Sequence, residues 1–183
     1  MGSKGCVEGS VRRLGPRGRR QPDLYRQFHY QGTPRSGWVK KGELAEGIGR
    51  SRGGRTSKVH AAVDASGRPL RLEISGGQLH DSQMFDAFTG WQTEPLAIVA
   101  DKAYTSQRIR RQIEDEGALA VIPSKSNARK PTPHDANLYA MRNIVERFFC
   151  KMKDMRRLAT RFEKTALNFH NMVYMFAIRC WLK

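Results

Sequence analysis

The chain has no run of about 18 consecutive apolar residues, the length a helix needs to cross a bilayer. Nor does a charged-then-apolar stretch of the kind that directs export open it. No membrane partner is therefore expected, and the protein reads as cytoplasmic. Cysteine is scarce: Cys6, Cys150 and Cys180 are the only three. An odd count at unrelated spacings suggests neither a disulfide framework nor a zinc site. Cys150 and Cys180 fall in helical stretches, where they read as small apolar residues. Acidic residues are also few, 17 Asp and Glu against 33 Lys and Arg, for a net charge of +16. An excess of that size implies a polyanionic partner, with nucleic acid the first candidate. At 183 residues the chain fits one domain rather than two.

Aliphatic residues are sparse up to about residue 55, where "VRRLGPRGRRQ" and "GRSRGGR" stand out. Such a composition buries too little apolar surface to offset its ordering entropy, so an arm is expected there, disordered or extended. From Thr56 the pattern changes. "TSKVHAAVD" and "RPLRLEIS" read as two strands around an Asp64–Gly67 turn. "GGQLHDSQMFDAFTGW" reads as a short helix capped by Asp81 or Ser82. "EPLAIVAD" and "ALAVIP" are short apolar runs of buried-strand type, separated by the helical "YTSQRIRRQIEDEG" with Gly117 past its end. A basic, proline-containing loop, "SKSNARKPTPHDAN", leads to two helices at about 138–155 and 165–182. This alternation argues an α/β fold: a mixed sheet with helices packed on it.

The first of those last helices carries Glu146 between Val145 and Phe148, where an apolar residue would pack better. At about 100° per residue, with Tyr139 at zero, Arg142, Lys153 and Glu146 fall between about 300° and 340°. Met141, Ile144, Val145, Phe148, Met152 and Met155 occupy the opposite side, between about 140° and 240°. Glu146 thus belongs to a polar row beside the apolar face, which by itself fits a solvated edge with ordinary ion pairs. Asp101 adds to it. An acid at the carboxyl end of a buried strand lies where open α/β sheets place ligands. A strand-end Asp facing a helix Glu can hold a hard cation such as Mg2+. Two such ions support in-line attack on phosphate. His60, His80 and Asp81 are better explained by local structure, "QLHDS" by capping. Asp64 is a turn residue.

These residues carry a resemblance. From about Gly49 to Leu182 the chain resembles the insertion-sequence transposases of the IS-four and IS-five group. "GRSRGGRTSKVHAAVDASGRPLRLEISGGQLHDS" looks like one of that family's blocks, and "VADKAY" like the block with the second catalytic Asp, here Asp101. "YAMRNIVERFFCKMK" fits its Tyr, Arg, Glu, Lys signature at Tyr139, Arg142, Glu146 and Lys153. The resemblance implies an RNase H-like α/β catalytic domain with an Asp, Asp, Glu metal triad. It implies a DNA transposase that frees 3′ ends and joins them to target DNA with Mg2+, or Mn2+ as substitute. Asp101 and Glu146 would be metal ligands. Tyr139, Arg142 and Lys153 would place the DNA strand at the catalytic site. Arg50, Arg52, Arg55, Lys58, Lys125, Arg129, Lys130, Arg156, Arg157 and Arg161 are the candidates for DNA-backbone contact. The partners implied are double-stranded DNA, as element ends and target, and a second copy of the chain in a homodimer.

One element is missing. The family's first Asp lies in a strand upstream of "GRSRGG", yet no aspartate stands between Leu24 and Gly42. Read from the second base of the Leu24 codon, allowed codons give Phe-Ile-Asp-Ser-Ser-Ile-Ile-Lys-Ala-His-Arg-Ala-Ala-Ala-Gly, which matches the family strand; frame returns near Trp38. Residues 1–48 are therefore expected as a basic Gly/Arg-rich arm, disordered or out of frame. Residues 49–183 are expected as a partial RNase H-like catalytic domain with its first strand missing or garbled. The chain should be inactive, the alternative being a non-catalytic DNA-binding remnant.

Overall fold

The computed structural model describes residues 23–30, 47–51, 54–89 and 95–182; for 23–30, 50, 51, 54 and 55 it describes the backbone alone. The strands are β1 (Asp23–Tyr30), β2 (Gly49–Ser51), β3 (Gly54–Val63), β4 (Pro69–Gly76), β5 (Ala97–Val99) and β6 (Leu119–Val121). The α-helices are α1 (Gln107–Asp115), α2 (Ala136–Ala140), α3 (Asn143–Asp154), α4 (Arg156–Ala159) and α5 (Ala166–Trp181), with 3₁₀ turns at Asp81–Phe88 and Lys102–Tyr104. The fold is mixed α/β. β3 pairs antiparallel with β4, β1 and β2, whereas β1, β5 and β6 run parallel to one another.

The β3–β4 hairpin forms where alternation and turn chemistry ask for it. Asp64 is buried and accepts from the Ser66 and Arg68 amides at 2.9 and 2.8 Å. Its other oxygen takes the Arg68 guanidinium at 2.7 Å. Gly67 supplies the positive φ of 79° that a β-carbon would disfavour. Side chains alternate across the strands, so the sheet is covered twice. Val59, Ala61, Val63, Ala97 and Val99 meet α3, α4 and α5 through Val145, Phe148, Phe149, Met152, Leu158, Phe169 and Val173. On the other face Ala62, Ile98 and Ala100 meet Phe85, Phe88, Tyr104, Ile109 and Ile113.

Three expectations change. The sheet keeps its central strand: β1 pairs with β3 from Leu24↔Val63 to Tyr30↔Ser57 and with β5 at Asp23↔Ile98 and Leu24↔Val99. A ladder uses main-chain groups, and "DLYRQFHY" has no proline to interrupt it. β1 falls within residues 1–48, so that stretch contributes to the sheet; residues 1–22 and 31–46 lie outside the described residues. The short helix at 81–88 is 3₁₀, and its cap is His80, whose Nδ1 accepts from the Ser82 amide at 3.3 Å. The helix expected at 138–155 is two, α2 and α3. Amides of Met141, Arg142 and Ile144 bond three residues back, tightening the chain between them.

Candidate active site

β5 is a three-residue buried strand, and the chain leaves the sheet directly after Ala100. Asp101 is the first residue outside. Its Oδ1 caps the next turn, accepting from the Lys102 amide at 2.5 Å. Its Oδ2 faces the other way, 3.6 Å from Arg142 Nη1.

Arg142 sits at the α2–α3 junction, in the capping position just before α3. From there its Nη2 reaches Glu146 Oε1, one helical turn on, at 3.0 Å. The two acids, far apart in sequence, therefore occupy opposite prongs of one planar guanidinium. The helical spacing predicts this convergence, and α3 produces it by burying Val145, Phe148, Phe149 and Met152, which leaves Arg142 and Glu146 on the flank facing the end of β5. The same guanidinium lies 5.5 Å from the Tyr139 ring centroid, and Tyr139 is met edge-on by His134 at 5.3 Å. Lys153 is exposed near the end of α3, two turns or about 10 Å beyond Glu146.

The acids thus meet a cation supplied by the chain itself. Oxygen ligands of this kind suit a hard divalent ion. Among the described residues, however, no group of three or more His, Cys, Asp or Glu could hold a metal. Asp23, the one acid of β1, is level with Ile98, three residues or about 10 Å short of Asp101 along the strand. Among the described residues the donor set does not fit a two-ion centre.

The basic candidates divide. Lys125, Arg129 and Lys130 are exposed in the loop after β6, and Arg156 is exposed on α4. Arg157 is exposed but bonded to buried Glu163 at 2.5 Å. Lys58 and Arg161 need correction as DNA contacts. Lys58 is 5% exposed, its ammonium donating to Leu79 O at 2.6 Å and Asp81 Oδ1 at 2.8 Å. Arg161 is buried, bonded to Ser57 Oγ, with its guanidinium 4.8 Å from the Phe169 ring centroid. A charge satisfied inside cannot also reach a phosphate. The side chains of Arg50 and Arg55, whose backbones pair across β2 and β3, and all of Arg52 lie outside the described residues. Asp81 is Lys58's partner. His60 is buried, Nε2 2.7 Å from Ser75 Oγ.

Sequence reasoning missed Arg110. Buried on α1, it donates from Nη2 to Ile122 O at 2.5 Å and faces Thr105 Oγ1 at 3.4 Å. Burial pulls its guanidinium below the ordinary value, with Glu114 acting the other way.

Residues 28–181 match the family model described as transposase DDE domain. The chain is 33% identical over 132 residues to a protein of Brucella ovis named as a transposase for insertion sequence element IS6501, covering 70% of this chain and 99% of that one. It is 34% identical over 121 residues to a Burkholderia cepacia protein named as a transposase for insertion sequence element IS402, covering 60% of this chain and 55% of that one.

Proposed function

Because the chain belongs to the transposase DDE domain family, we propose that it derives from the DNA transposase of an insertion sequence and binds DNA without cutting it. One observation carries this reading: Asp101 and Glu146 converge on Arg142 beside the end of a buried strand. A basic nucleic-acid protein unrelated to transposition would have no reason to assemble those residues there. The strand order β4-β3-β1-β5-β6, antiparallel through β1 and parallel beyond it, supports an RNase H-like domain. β1 then belongs with residues 49–183 rather than with an arm.

Mg2+ or Mn2+, when bound by a complete acid set, would activate the attacking oxygen and stabilise the leaving one. In this chain Asp101 and Glu146 offer two thirds of that set. Arg142, already between them, offers a fork that matches a phosphate as well as a carboxylate. Tyr139 offers a ring against it, and Lys153 and Arg156 offer charge further along the DNA.

The missing acid has a definite place. Counting two residues on from the Leu24↔Val99 pair brings position 26 level with Asp101. The third residue of the shifted reading, its aspartate, falls on that position, where Arg26 stands. The register supports the view that residues 24–38 are an out-of-frame copy of the family strand. The gene's bases test this directly, since a shifted frame without an Asp codon there refutes it.

Activity is tested by strand cleavage of element-end DNA with Mg2+ or Mn2+. The chain as it stands is expected to bind duplex and leave it uncut. A version carrying the fifteen-residue shifted reading in place of residues 24–38 is expected to cut, and to stop cutting when Glu146→Gln is added. Cleavage by the unaltered chain that Glu146→Gln abolishes refutes the inactive reading. Failure to bind duplex at all refutes the DNA reading.

A further inference from the structure

Between α1 and the loop that follows β6 lies a cavity of about 220 Å³. Its lining includes Thr105, Arg110, Ser124, Lys125, Lys130 and Thr132, with no acid on the wall among the described residues. Arg110, Lys125 and Lys130 give this wall an excess of positive charge, with Glu114 of α1 acting on Arg110 alone, and a hollow of that sign attracts an anion. The arrangement is also built. The Thr132 amide donates to Ser124 Oγ at 2.8 Å, closing the loop at its base, and the Ala128 amide donates to Lys125 O at 3.0 Å, turning it at its tip. Arg110, also on the wall, is fixed by its Nη2 bond to Ile122 O. A second cavity shows the contrast: Arg108 and Arg111 line it together with Asp86 and Asp115, so its charges are matched from within.

The position selects the anion. Thr105 follows Asp101 by four residues, and the loop leaves the end of β6, one strand spacing or about 4.8 Å from β5. The lining residues therefore follow the carboxyl ends of β5 and β6, the end of the sheet at which Asp101 stands. Phosphates of one DNA strand recur about every 3.4 Å along the duplex axis, so a duplex crossing that end presents one to the hollow and one to the acid pair.

We infer that this cavity is a phosphodiester-binding subsite, in which Lys125, Lys130 and Arg110 hold one backbone phosphate of DNA beside the acid pair. The inference rests on the DNA reading above and adds to it a particular anchoring point. It is tested by measuring the affinity of the full chain for a short labelled duplex across a salt series. Lys125→Gln with Lys130→Gln is compared with Arg108→Gln plus Arg111→Gln, which removes the same charge elsewhere, and thermal unfolding checks that each variant is folded. Losing one phosphate contact should reduce the slope of log affinity against log salt by about 0.9, which is about 3.5-fold less loss of affinity between 50 and 200 mM salt. The control pair should keep the parent slope. An unchanged slope in the lysine pair, or equal reductions in both pairs, overturns the inference while leaving DNA binding intact. If the parent binds no duplex but is stabilised by inorganic phosphate through the two lysines, the cavity serves a free anion and the inference is wrong together with the DNA reading.

Discussion

Removing the charge of Lys58 and removing its partner should have very different consequences. The ammonium is enclosed, held by Leu79 O at 2.6 Å and Asp81 Oδ1 at 2.8 Å. Asp81→Ala leaves that cation buried with one carbonyl for company. Breaking a buried pair from one side costs about 3 to 5 kcal/mol. The lower figure, about 3 kcal/mol, applies here because Leu79 O stays in place and the Asp81 side chain is 28% exposed, which lets water share the site. Lys58→Met keeps the buried stem and removes the charge, and the half-open Asp81 can be solvated. Its cost should stay within about 1 kcal/mol. In the double variant the loss should be close to that of Lys58→Met alone, a coupling of about 3 kcal/mol. Urea unfolding followed by fluorescence, with the denaturant slope unchanged, measures all three. Lys58→Met should also leave the salt dependence of DNA binding as it was, whereas a lysine on a phosphate would reduce the slope by about 0.9. Either that reduction or an Asp81→Ala within 0.5 kcal/mol of the parent, roughly the noise of a surface change, refutes the assignment of Lys58 to the interior.

Phe148, buried against Phe149 and Phe176 with ring centroids at 5.3 Å in each case, should cost about 3 to 5 kcal/mol when cut to alanine, by the same unfolding measurement. Asp64→Ala removes the acceptor for two amides and Arg68, so a loss of about 2 kcal/mol is expected. Hydrogen exchange should rise at the Ser66 and Arg68 amides before the strands are affected. Gly117 has φ of 78° with nothing within 4 Å of an added β-carbon. Gly117→Ala should therefore show backbone strain alone, about 1 kcal/mol in thermal unfolding.

The elements with strong periodicity were legible in the sequence: the β3–β4 hairpin, α1, α5 and the short apolar β5 all form close to where the pattern puts them. So was the meeting of Asp101 and Glu146 at Arg142, because Arg142 and Glu146 share a helix face and Asp101 ends a strand. What escaped did so for physical reasons. β1 has aromatic and polar residues without an aliphatic run, and main-chain pairing with β3 and β5 places it in the sheet, which composition does not report. The break between α2 and α3 is made by three-residue hydrogen bonds, although Tyr139 to Met155 keeps a helical period throughout. Lys58 and Arg161 carry the residue types of a DNA contact. Only their partners, Asp81 and Ser57, reveal that they point inward. Arg110 gave the opposite difficulty, a single arginine among several on α1 whose burial depends on the end of β6.

A strand that is held through amides and carbonyls accepts replacement text more readily than a catalytic site does. If the middle of this sheet has been rewritten by a slipped reading frame, the architecture has outlived the chemistry it once served. Decay of a gene of this kind would then leave a folded, basic relic able to compete with its active kin for the same ends of DNA, an inhibitor produced by error rather than by selection.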